Sequence, residues 1–202
     1  MGLTSEQVHW LYGGALLVFA ILALLRSRGT LAGRWPDFLI GIALFVVGVG
    51  LILDPLLHGG AAPANYGMET AQHLALGLLL VLASALELYR IATRRRAFAW
   101  RLPLVFALVA ATLLFALHAQ HDAEAPMLLL VTQHRVIAAT LFVLALAVLI
   151  APAEADRRHD PAIPLLMLLL GLEFLIYTEG RSLFGVTQAN PIAAPEPTHD
   201  IH

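Results

Sequence analysis

The chain has 202 residues, 59% hydrophobic and 13% charged, with a mean hydropathy of +0.80, whereas a soluble domain is roughly half apolar and about 25% charged. These figures exclude an ordinary soluble domain, and a net charge of −2 without a long basic run argues against a nucleic-acid partner. Cysteine is absent, which rules out disulfides, thiolate metal sites, iron–sulfur ligation and covalent c-type haem attachment.

Six apolar segments follow one another, at about residues 8–25, 37–57, 71–90, 101–119, 129–151 and 162–180. Each is near the ~20 residues a helix needs to cross a bilayer. Period-2 alternation is nearly lacking, so the expected fold is all-α, a polytopic bundle of six transmembrane helices and not a β-barrel. No basic stretch precedes the first segment, which therefore reads as a retained span. The transmembrane domain occupies 1–185, and the proline- and alanine-rich segment 186–202 is expected to be a flexible tail.

Lysine is absent, and ten of the twelve arginines lie between spans one and two, three and four, or five and six. The positive-inside rule makes those loops cytoplasmic and puts both termini outside, as in the inner membrane of a prokaryote. Eight of the nine histidines then fall on the outer side, His159 being the exception. Spans one, three and five begin alike, with Gln7-Val-His9, Gln72-His73 and Gln133-His134, the histidines 64 and 61 residues apart. The return spans open with Pro36, Pro103 and Pro164, and proline suits the first turn of a helix. The chain thus reads as three similar hairpins, about 1–60, 61–125 and 126–185, with His9, His73 and His134 at equivalent helix ends.

Imidazoles and carboxylates on one side point to a metal site. His118 and His121, at i and i+3, share a helical face, with Asp122 beside them as a further ligand or as an orienting partner. Glu69 and His73 stand at i and i+4 where span three begins, as do Asp54 and His58 where span two ends. Glu173 is an intramembrane carboxylate, a functional candidate because burying it unpaired costs a few kcal/mol or more. Glu87, at the arginine end, is placed to pair with Arg90 at i+3. The candidate ligands are therefore His73, His118, His121, His134, His9, His58, Asp54, Glu69, Asp122 and Glu173.

Imidazole and carboxylate without thiolate suit Cu(II), Zn(II), Ni(II) or iron more than Cu(I), which prefers sulfur. Two facing histidines can also hold haem b, and histidines with Glu173 can carry protons without any metal. With histidines ranged along its outer helix ends and helix starts at Gln72-His73 and Gln133-His134, the chain resembles the inner-membrane copper-resistance proteins of the CopD/PcoD type. That resemblance implies copper handling, so the expected ion is copper first and zinc second, for transport, tolerance or delivery, with a periplasmic metal carrier or a respiratory complex as partner. Haem A synthase is a second resemblance, through outer-side histidines and the Glu69–His73 spacing. No nucleophile motif, H-E-x-x-H or nucleotide-binding glycine loop occurs, so binding or transport ranks above catalysis.

Overall fold

A computed structural model describes residues 3, 5–57, 66–95, 97–117, 127–151 and 160–178. The described residues contain no strand. Their helices are α1 (Ser5–Ser27), α2 (Leu39–Leu57), α3 (Tyr66–Ala92), α4 (Leu102–Ala116), α5 (Met127–Ile150) and α6 (Ala162–Leu175), with short 3-10 turns at Trp35–Phe38 and Phe98–Arg101. Five helical stretches are long and apolar enough to cross a membrane, Glu6–Ser27, Trp35–Asp54, Thr70–Ala92, Phe98–Ala116 and Leu129–Ile150, the second and fourth including the 3-10 turn that precedes the helix. The sixth has 14 residues, roughly 21 Å at 1.5 Å per residue, short of a ~30 Å hydrocarbon core.

The six helices close into a ring in which each packs against its neighbours in sequence and α6 returns to α1. The side chains turned inward, such as Leu16, Ala43, Leu80, Leu108, Leu144 and Met167, are buried. Outside stand Leu11, Val18, Leu78, Leu82, Phe106 and Leu113, each more than half exposed. A ring that is apolar on both surfaces has no reason to be amphipathic, as expected where hydrocarbon replaces water.

Packing around the ring is uneven. The closest pairs are α1–α6, α2–α3 and α4–α5, whereas α1–α2, α3–α4 and α5–α6, joined across the arginine-bearing segments, touch less. Small residues explain two of the three close pairs. Gly13 of α1 lies against Gly171 of α6, and a Cβ on Gly13 would come within 2.7 Å of the Gly171 carbonyl oxygen. Gly48 of α2 and Gly77 of α3 meet in the same manner, a Cβ on Gly77 falling 2.7 Å from the Gly48 carbonyl oxygen. Without a hydrophobic force between helices in lipid, such backbone proximity supplies the dispersion that holds them together. Gly13→Ala is expected to destabilise the protein by about 1–3 kcal/mol through overpacking. The neighbouring Gly14 meets nothing within 4 Å, and Gly14→Ala should instead add about 0.5–1 kcal/mol of helix preference. Unfolding of the two variants in detergent checks both signs.

The arginine end is fastened by polar contacts. Arg26 bridges Asp37 at 3.1 Å and donates to the Leu31 carbonyl. Arg101, buried, donates to the Ala151 carbonyl and so ties α4 to the end of α5. Glu87 and Arg90 form the expected pair, bidentate at 2.7 and 2.8 Å and almost wholly buried. Pro36 and Pro103 stand in the first turns of their elements, and Pro164 is the third residue of α6. Two helices end here alike, with an i→i−5 backbone bond enclosing a left-handed residue: Gly29 after α1 (φ +75) and Arg94 after α3 (φ +57). Glycine is usual at that position, and an L-residue there costs about 1–2 kcal/mol.

Candidate functional site

Inside the ring lies a cavity of about 90 Å³ to which all six helices contribute, lined from Ile40 and Ile163 near the arginine end to His9, His73 and His134 at the other. Most of its wall is aliphatic. Its polar lining is concentrated at one end, in His9 and Tyr12 of α1, Asp54 of α2, Gln72 and His73 of α3, and His134 of α5. The three Gln/His helix starts therefore converge on one space. Four residues beyond each histidine stands a small residue, Gly13, Gly77 or Ala138, on the face where the neighbouring helix must approach.

The imidazoles are individually oriented. Nδ1 of His134 lies 2.8 Å from the Leu130 carbonyl oxygen. A carbonyl only accepts, so Nδ1 carries the proton and Nε2 of the neutral ring bears the lone pair. Nδ1 of His73 lies 2.5 Å from Oδ2 of Asp54, a contact that joins α3 to α2. A carboxylate acceptor fixes the same tautomer there. The two rings line the same cavity. His9 is held differently, stacked on Tyr177 with centroids 3.9 Å apart and 15° between planes, and its centroid lies 6.4 Å from that of His134. Phe115 and Phe174 complete an aromatic wall.

The early end of α6 positions this wall. After Leu175 the chain turns, and the Tyr177 carbonyl accepts the Trp10 indole N–H at 3.0 Å. Thr178 donates its hydroxyl to Glu6 at 2.8 Å, and its N–H lies 3.4 Å from Oε1 of Gln133. A span continuing as helix to residue 180, the reach read from hydropathy, would carry Tyr177 away from His9. The polar groups of α1 and α5 draw the chain across instead.

Of the candidate ligands, His9, Asp54, His73 and His134 line the cavity. Asp54 meets His73 on another helix, and Pro55 is accommodated within α2. Glu173 accepts a 2.6 Å hydrogen bond from the Thr140 hydroxyl, at the α5–α6 contact and not in the cavity wall. Its Oε2 is buried with no partner among the described residues. His58, His118, His121 and Asp122 lie outside the described residues, as does the side chain of Glu69. Among the described residues, no three His, Cys, Asp or Glu side chains form a group able to hold a metal ion by themselves.

One contributor went unread in the sequence. The buried Tyr12 hydroxyl stands beside Asp54 and, among the described residues, meets no other partner. Its position three residues after His9 puts it on the same helical face, which was the available signal. Gly50 makes room for it, since a Cβ there would meet the Tyr12 ring at 2.5 Å.

These features define a class, an all-helical bundle with several membrane-length apolar helices around an internal histidine–aspartate site. Comparison with protein-family models, curated proteins and solved structures gives no match.

Proposed function

We propose that this is a multi-pass inner-membrane protein of a prokaryote that takes a transition-metal ion, copper first and zinc second, between His73 and His134. In this reading the histidine end faces outward and the role is transport, tolerance or delivery to a periplasmic carrier or respiratory complex. The carrying observation is that both Nδ1 atoms donate to fixed acceptors, one a carboxylate and one a backbone carbonyl. That is the arrangement that orients metal-binding imidazoles and directs Nε2 toward an ion. His9, across the same cavity, is a third imidazole, and the Tyr12 hydroxyl in the same lining gives a polar guest a donor. Nitrogen and oxygen donors without sulfur favour Cu(II) over other divalent first-row ions.

The cavity volume favours an ion over haem b. At about 90 Å³ it is far smaller than the ~300 Å³ at which ordinary ligand pockets begin, and a porphyrin would have to part the helices. Metal analysis of the purified protein tests the proposal, with about one copper or zinc ion per chain as the expected result. Protein that is metal-free and takes up neither ion refutes it, and a Soret band in the visible spectrum would decide for haem. A proton-coupled carrier is the second reading, favoured by the Oε2 of Glu173 within the apolar bundle, which has no partner among the described residues. It predicts that Glu173→Gln abolishes proton-coupled uptake while leaving copper binding intact, measured in vesicles under a pH gradient.

A further inference from the structure

A second cavity, of about 420 Å³, opens at the arginine end, between the end of α1, the turn before α2, the end of α3 and the start of α6. It shares Ile40 and Ile163 with the central cavity and is otherwise different in chemistry. Four guanidiniums line it, those of Arg26, Arg34, Arg90 and Arg94, against the carboxylates of Asp37, Glu87 and Asp160.

The charges are not evenly matched. Arg26 is tied to Asp37 and Arg90 to Glu87, and these pairs form a rigid frame. Asp160 spends Oδ1 on the Ala162 N–H where α6 begins. Arg34 reaches the Ile91 carbonyl at a marginal 3.5 Å. Neither Arg34 nor Arg94 meets a carboxylate among the described residues. Arg94 moreover occupies the left-handed position that Gly29 fills at the end of α1. The strain is therefore kept where glycine would relieve it, as happens when a side chain is needed at that spot.

We propose that this cavity binds a phosphate-bearing anion, held by Arg34 and Arg94 over the frame of the two ion pairs. Guanidinium forks match phosphate oxygens two at a time. Basic pockets between membrane helices are suited to lipid head groups, and the volume equally admits a small soluble phosphate. The two sources share one chemistry and differ in access.

The test uses the full chain, purified into phosphate-free detergent. Titration with inorganic phosphate is followed by calorimetry, and retained phosphatidylglycerol by mass spectrometry of the intact protein. Binding of phosphate identifies a soluble anion, and retention of phosphatidylglycerol that phosphate does not displace identifies a head group; either supports the site. Arg34→Gln and Arg94→Gly should each weaken the bound species at least tenfold. Arg94→Gly should also melt no lower than the unaltered protein, because glycine suits its backbone, so lost binding is not lost folding. Arg94→Asn, also compatible with that backbone, provides a second reading. No binding of either probe, or binding unchanged in the Arg34 and Arg94 variants, overturns the proposal.

Discussion

Replacing Arg90 by methionine is expected to destabilise the protein by about 3–5 kcal/mol, because it leaves the Glu87 carboxylate buried without its counter-ion. Both side chains are at most 5% exposed, and the two bonds between them are short and parallel. The loss therefore comes from stranding a charge and not from the intrinsic strength of the pair. The double variant Glu87→Leu/Arg90→Met removes both charges and fills similar space, so it should recover most of the stability. Urea or thermal unfolding of the two variants separates the effects. A single variant as stable as the double would mean that Glu87 finds another partner or water.

Copper binding should be abolished by His134→Ala and weakened about 10–100-fold by Asp54→Ala, which removes the orienting acceptor and not a ligand. The comparison distinguishes a metal site from a structural hydrogen bond. Asp54→Asn retains shape and an acceptor oxygen while removing the charge, and should fall between Asp54→Ala and the unaltered protein. Paramagnetic resonance of the Cu(II) form supplies an independent signature, since nitrogen couplings from the imidazoles should vanish in His134→Ala. Unchanged copper affinity in both His134→Ala and His73→Ala would refute the site.

Much of this arrangement was legible because residue type carried it. Histidine and glutamine stand out in leucine- and alanine-rich spans, and the recurrence at His9, His73 and His134 pointed to positions that all line one cavity. Glu87 and Arg90 were readable because their contact lies within one helix turn. What was hidden depends on contacts between helices. Asp54 was read with His58 by spacing, yet it meets His73 from α3. Tyr12 resembles any aromatic residue in a span until its hydroxyl is placed against Asp54. The choice of α1–α6 and α2–α3 as close pairs rests on Gly13, Gly171, Gly48 and Gly77. Apolar periodicity does not register which glycines face each other. The end of α6 at Leu175 follows from Trp10, Glu6 and Gln133, none of them near it in sequence.

The pairing of α1 with α6 also orders events during synthesis. Chains emerge from the N-terminus, so α1 enters the membrane about 135 residues before its closest neighbour is made. Until then the Gly13 face of α1 has only lipid against it, and Tyr177 is not yet present to stack on His9. Nascent chains halted after α5 would therefore hold His73 and His134 without the last wall of their cavity. A circular permutant starting at α2 and joining the end of α6 to α1 would make that pair consecutive, and should assemble the histidine end without the delay.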